Sequence, residues 1–200
     1  TDKRVQTYNA EVAKQEQKVE ALLLQKQQEI QKKEAEAAKK SQQAAKASGG
    51  NTSTDGADPA SSNDSYAANT GELRWPLKVS GRISSKFGSR TSPTAGASTY
   101  HKGIDISVSS GTAIVASGAG TVVTATYSST AGNYIMIYHG NSLYTVYMHC
   151  SKLGVKVGDT VNQGDVIGNV GSTGISTGPH LHFGVTVNGS YVNPLNYVSQ

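Results

Sequence analysis

All five histidines of this 200-residue chain lie beyond position 100: His101, His139, His149, His180 and His182. Two of them form an H-x-H, His180-Leu181-His182. Side chains alternate along a strand, so both imidazoles face one way. They can share a metal ion, or one can bind it while the other moves a proton. A second pattern, His101-Lys102-Gly103-Ile104-Asp105, is an H-x-x-x-D. Gly103 lets the chain bend sharply there and bring both side chains to one point. Either pattern alone is weak. Together they offer three nitrogen and oxygen ligands, the set that leaves a zinc ion a fourth position for water. Structural zinc sites are closed by four protein ligands and favour cysteine, and this chain has only Cys150. The chemistry implied is therefore metal-assisted hydrolysis.

Such chemistry needs a base. From residue 73 onward the chain has no Glu, and its Asp residues are Asp105, Asp159 and Asp165. The last two stand in Val157-Gly158-Asp159-Thr160 and Gln163-Gly164-Asp165-Val166, which read as turns. No H-E-x-x-H is present. The base is then a histidine, either His149 or whichever of His180 and His182 is not a ligand. There is no phosphate-binding glycine loop, so nucleotide chemistry is excluded. By strand alternation Tyr147 and His149 share a face, and Cys150 points the other way as a small core residue. His139 reads as a hydrogen-bonded strand end. Tyr100 and Tyr147 read as core or groove lining.

Three segments of different texture surround these residues. Residues 1–47 contain no Gly or Pro and are rich in Ala, Gln, Lys and Glu, good helix formers. Val5, Val12 and Val19 recur every seven residues, with Tyr8 and Leu22 complementary. The seam then steps by four to Leu23 and continues to Ile30 and Ala37, a stutter in a coiled-coil pattern interrupted by Gln15, Lys26 and Lys33. A long helical arm is expected, able to pair with a coiled-coil partner or with itself. Residues 48–71 lack Val, Ile, Leu, Met and Phe and read as a flexible linker. From residue 72 to 200, short β-branched and aromatic runs alternate with glycine turns: Thr112–Ala116, Gly120–Tyr127, Tyr134–His139, Leu143–His149, Val166–Val170 and His180–Val187. This is the signature of an all-β, mostly antiparallel domain. Over residues 51–200 eight Lys/Arg stand against seven Asp/Glu, a near balance that excludes a nucleic-acid footprint. No apolar run is long enough for a transmembrane helix. The chain opens at Thr1 inside the helical pattern, without an initiator Met or a signal peptide. It reads as a piece of a longer protein whose N-terminus carried any targeting segment.

The second half resembles the lysostaphin-type (LytM-type) zinc endopeptidases of bacterial cell walls. The resemblance rests on Ser85-Lys86-Phe87-Gly88-Ser89-Arg90, Tyr100-His101-Lys102-Gly103-Ile104-Asp105-Ile106, Gly118-Ala119-Gly120-Thr121-Val122, Tyr147-Met148-His149, Val157-Gly158-Asp159-Thr160-Val161 and Gly178-Pro179-His180-Leu181-His182-Phe183. It implies a twisted antiparallel sheet with a groove across it. It implies Zn2+ held by His101, Asp105 and His182, with His149 and His180 as the catalytic histidines. The substrate implied is a peptide bond of peptidoglycan, in a stem peptide or cross-bridge, which places the protein outside the cell or in its envelope. The sequence departs from many relatives at Thr91-Ser92, where they carry a further His that is not a ligand. The alternative is a non-catalytic scaffold or activator of another wall hydrolase; it would show as loss of ligands, and all five site residues are present. A biotinyl- or lipoyl-carrier reading of Val155–Val161 lacks a suitably placed lysine at a hairpin tip. The arm and linker further suggest an autoinhibitory or recruiting role.

Overall fold

The computed structural model describes residues 73–200, together with the isolated positions Ala21, Gln25, Gln28, Glu29, Lys32, Glu36 and Lys39, which have helical backbone and are exposed. The expected coiled-coil arm over 1–47 and linker over 48–71 otherwise lie outside the described residues.

Among residues 73–200 the structure is strand, turn and one 3-10 turn, with no α-helix. The strands are β1 (Arg82–Ser85), β2 (Gly88–Ser89), β3 (Tyr100–His101), β4 (Ile104–Ser107), β5 (Ala113–Val115), β6 (Gly120–Ser128), β7 (Gly132–Tyr138), β8 (Leu143–Leu153), β9 (Thr160–Val161), β10 (Val166–Val170), β11 (Leu181–Val187) and β12 (Ser190–Val192). Ten of them form one sheet in the order β1-β4-β11-β8-β7-β6-β9, with β10 pairing β5 and β8, and β12 pairing β11. β2 and β3 form a separate ribbon. Every described pairing is antiparallel.

Alternation divides the two faces of the sheet. Ile104 and Ile106 of β4, Ile135 and Ile137 of β7, and Leu181, Phe183 and Val185 of β11 are wholly buried in one core. Each such side chain contributes roughly 1.5–3 kcal/mol on leaving water. The intervening residues of β7 and β8, Tyr134, Met136, Tyr144 and Val146, pack as a second cluster on the opposite face, with Met148 and Tyr191 at its margin. That opposite face carries the candidate site. Leu181 is driven into the core, so His180 and His182 on either side of it are driven out together, as the H-x-H spacing requires.

The register shifts at several places, and the shift in β8 is the one beside the site. Tyr147 pairs with Ile135 and Cys150 pairs with Asn133, so β8 has one residue more than β7 between them. The result is a β-bulge with His149 at φ 64°, in the left-handed region. A residue with a Cβ pays roughly 1–2 kcal/mol for that conformation. One extra residue reverses the facing of everything beyond it. Tyr147 and Cys150 therefore both lie in the core, while His149 turns to the other face beside Met148. The expected sharing of a face by Tyr147 and His149 is corrected by this bulge; Cys150 does point away from His149. Burial pushes the Cys150 thiol up to about 12, so it is an inert core residue.

His139, just past β7, is buried. Its Nδ1 donates to the Ala119 carbonyl at 2.8 Å, and its Nε2 meets Thr145 Oγ1 at 2.7 Å. Thr145 Oγ1 lies 2.9 Å from Tyr147 Oη, which accepts from the Ser117 amide at 2.8 Å. Burial lowers the His139 pKa to about 4, so the folded ring is neutral at pH 7. The unfolded ring takes up a proton below about pH 6.5 and the folded one does not. The neutral ring's stability is thus full above pH 6.5 and erodes as pH falls towards 4. His139→Gln is expected to lower Tm at pH 7.5, with the gap to wild type shrinking as calorimetry is repeated down to pH 4.5. A gap that widens on acidification would contradict this account.

Candidate active site

Three donors converge where β3, β4 and β11 meet. In register, His182 lies opposite Asp105 on β4 and opposite Met148 on β8. His101 Nε2 lies 2.9 Å from His182 Nδ1, and each is 3.0 Å from Asp105 Oδ1. The three residues form a group able to hold a metal ion. Tetrahedral zinc, with bonds of about 2.0–2.1 Å, sets its ligand atoms roughly 3.3 Å apart. A triangle of two imidazole nitrogens and one carboxylate oxygen at 2.9–3.0 Å fits that ion closely.

The chain bends at Lys102 and Gly103, as expected, and Gly103 has a second role as well. Its φ is not in the left-handed region; what it supplies is space. A Cβ there would overlap the Phe183 carbonyl and stand 2.8 Å from His182 Nε2. Glycine lets β11 approach closely enough to lay the His182 ring beside Asp105.

The ligand atoms are oriented from behind. His101 Nδ1 donates to the Lys86 carbonyl at 2.9 Å and is 3.2 Å from Ser85 Oγ, which leaves Nε2 facing the triangle. Arg90 Nη1 donates to Asp105 Oδ2 at 3.0 Å and to Ser85 Oγ at 2.7 Å, while its Nε donates to the Ser98 carbonyl at 3.3 Å. One guanidinium thus fixes the far oxygen of Asp105 and the base of the 91–98 wall. Burial by itself would raise the Asp105 carboxyl, but hydrogen bonds and charge from His101 and His182 outweigh it and hold the group far below the usual range. It is an anion at any working pH. Arg90→Gln is expected to weaken metal binding by about 10–100-fold, with Arg90→Lys intermediate, when the metal is titrated against a chelator. Unchanged affinity in Arg90→Gln would remove Arg90 from the site.

His180 and His149 flank the triangle. His180 Nδ1 donates to the Gly178 carbonyl at 2.8 Å, and its Nε2 lies 3.7 Å from Asp105 Oδ1. His149 Nδ1 donates to the Thr173 carbonyl at 2.8 Å. Both rings therefore carry the proton on Nδ1 and keep Nε2 basic. Their centroids are 4.7 Å apart, and His149 stands edge-on to His182 at 6.2 Å. Burial first, then the neighbouring His182 and His180 rings, push His149 down to about 3, so it is neutral at pH 7. A groove runs past this cluster, lined by Arg90, Ala97, Tyr100, Met148, Ile175 and Tyr191 among others. Ile175 belongs to the glycine-rich 168–178 stretch, which here walls the groove. Tyr100 is an exposed rim residue set edge-on to Phe87, whereas Tyr147 is core.

The sequence patterns thus name the five residues that the fold gathers. His139 stays outside, and Asp159 and Asp165 cap turns by accepting from the Lys156 and Asn162 amides. The roles of Ser85 and Arg90 were not read from the sequence, since a contact between residues 90 and 105 leaves no periodic trace. Thr173 was missed because it acts through a backbone carbonyl.

The model of peptidase family M23 matches residues 99–194, which include both ligand patterns and both flanking histidines. The catalytic domain of lysostaphin from Staphylococcus simulans is 35% identical, with a TM-score of 0.54, and the match covers 58% of this chain and 91% of that domain. The chain belongs to peptidase family M23. A zinc-containing peptidase from Vibrio cholerae is likewise 35% identical, with a TM-score of 0.58, over 62% of this chain and 39% of that one. The Vibrio cholerae peptidoglycan DD-endopeptidase ShyC is 43% identical over 61% of this chain and 28% of its own length. The first curated relatives are matched over only 27–33% of their length, so this M23 domain corresponds to one part of them. The metallopeptidase family and the antiparallel β fold agree with the expectations from sequence.

Proposed function

We propose that this domain is a zinc-dependent endopeptidase that hydrolyses a peptide bond in the crosslinks of bacterial peptidoglycan. The observation that carries the reading is the convergence of His101 Nε2, Asp105 Oδ1 and His182 Nδ1, with two further histidines beside them. Those three residues would hold the zinc, which when bound supplies a Lewis acid and makes water acidic enough to ionise near neutral pH. His149 and His180 have their Nε2 atoms available for proton transfer. One accepts the proton of the attacking water. The pair then stabilises the oxyanion and protonates the leaving amine. The groove beside them admits an extended peptide. A relative named peptidoglycan DD-endopeptidase supports the substrate class and favours a crosslink between D-residues. Work on that polymer places the domain outside the cytoplasmic membrane. The arm over residues 1–47 is assigned a regulatory or recruiting role within the same reading.

Purified peptidoglycan incubated with the 200-residue chain should release fragments with new amino termini inside the crosslinks, identified by mass spectrometry. Release should stop on chelation and return with added zinc. Zinc-loaded protein that releases nothing would overturn the enzymatic reading in favour of a scaffold.

A further inference from the structure

The bulge at His149 is held by contacts that touch none of the metal-binding atoms. The 171–178 segment between β10 and β11 lies directly against the strand ends at 130–133. Ile175 donates its amide to the Thr130 carbonyl at 2.9 Å. Gly132 and Gly174, at φ 66° and 73°, sit face to face. A Cβ on Gly132 would overlap the Thr173 hydroxyl and carbonyl, and one on Gly174 would overlap the Gly132 amide. Only glycine at both positions permits this approach.

Thr173 is the centre of the contact. Its Oγ1 accepts from the Asn133 amide at 3.0 Å and donates to the Cys150 carbonyl at 2.8 Å. Asn133 and Cys150 are the paired residues that close the bulge on its two strands. Asn133 Nδ2 donates to the same carbonyl at 3.0 Å. The Thr173 carbonyl then receives His149 Nδ1 at 2.8 Å, while the His149 amide donates to Ala131 at 2.9 Å. A carbonyl can only accept. It selects the tautomer with the proton on Nδ1, and a ring bonded at Nδ1 cannot swing about its side-chain torsions.

We propose that Thr173 is the positioning residue of His149: its hydroxyl ties both strands of the bulge, sets its own carbonyl against Nδ1, and so fixes the Nε2-basic tautomer and the ring's orientation. The proposal rests on the proton-transfer role given to His149 above. The hydroxyl, rather than the carbonyl every residue has, makes the position specific to Thr or Ser.

The first test needs no variant. In the zinc-loaded 200-residue chain labelled with 15N-histidine, the His149 ring should show a protonated Nδ1 and a bare Nε2. A protonated Nε2 overturns the proposal, whether or not the chain cleaves peptidoglycan. The second test compares Thr173→Val with Thr173→Ser. Thr173→Val is expected to lower kcat by about 10–100-fold while KM and zinc affinity stay within about twofold, the pattern of a lost orienting contact. Its His149 ring nitrogens should shift towards a mixture of tautomers. Thr173→Ser should restore both kcat and the ring shifts. A Thr173→Val chain with wild-type kcat, or with reduced kcat and unchanged His149 shifts, overturns the proposal. Wild-type chain with the expected tautomer but no hydrolysis would instead defeat the functional reading alone.

Discussion

Replacing His182 by alanine is expected to abolish stoichiometric zinc binding and to cut kcat/KM by roughly a thousandfold or more, about 4 kcal/mol of transition-state stabilisation. His182 Nδ1 is one corner of the triangle, 2.9 Å from His101 Nε2 and 3.0 Å from Asp105 Oδ1. Two remaining donors do not make a competent zinc site. The fold should survive. Leu181 and Phe183 carry the core packing of β11, and they face the other way. The decisive measurements are bound zinc by atomic emission and turnover on purified crosslinked peptide. A His182→Ala chain with one tightly held zinc and normal turnover would refute the proposed ligand set.

Replacing His149 should give a different phenotype. Its ring is not part of the triangle, so zinc stoichiometry is expected to stay at the wild-type level. Loss of the proposed acid–base group should lower kcat by about 10²–10⁴-fold with little change in KM. Two substitutions sharpen the test. At φ 64° alanine retains the backbone strain that histidine bears, whereas glycine relieves it. His149→Gly should therefore melt higher than His149→Ala, by up to about 1 kcal/mol, with equally poor kcat. Near-normal turnover in either zinc-loaded variant would leave His180 as the sole base and reassign His149 to a structural role.

These residues were legible because ligand chemistry is written in residue type and short spacing. H-x-H works through strand alternation, and β11 obeys it. H-x-x-x-D pointed to His101 and Asp105: Lys102 and Gly103 form the bend, Ile104 opens β4, and Gly103 is also required by the passing β11. Alternation misled at Tyr147, where a single inserted residue reverses the facing. Nothing in a linear pattern marks such an insertion, since it is defined only against the partner strand. The supports of the site were hidden for a related reason. Arg90 reaches Asp105 across a loop, and Thr173 reaches His149 from 24 positions away through a group every residue possesses. The short strands β9 and β12 pair along the longer β6 and β11 and have little sequence signal of their own.

The place of β11 governs how the molecule assembles. It is the penultimate strand in the chain, yet it lies between β4 and β8 in the middle of the sheet. Until residues 181–187 arrive, β4 and β8 have no common neighbour and present open edges to one another and to other chains. Closing that gap requires contacts such as His101 with His182, 81 residues apart, and such long-range closure slows folding. A chain truncated before Leu181 should be strongly prone to aggregate rather than merely inactive. The metal triangle cannot template this process, because one of its corners travels on the inserting strand. On the proposed ligand set, zinc would join a sheet that has already closed, and would slow opening of the finished molecule without hastening its assembly.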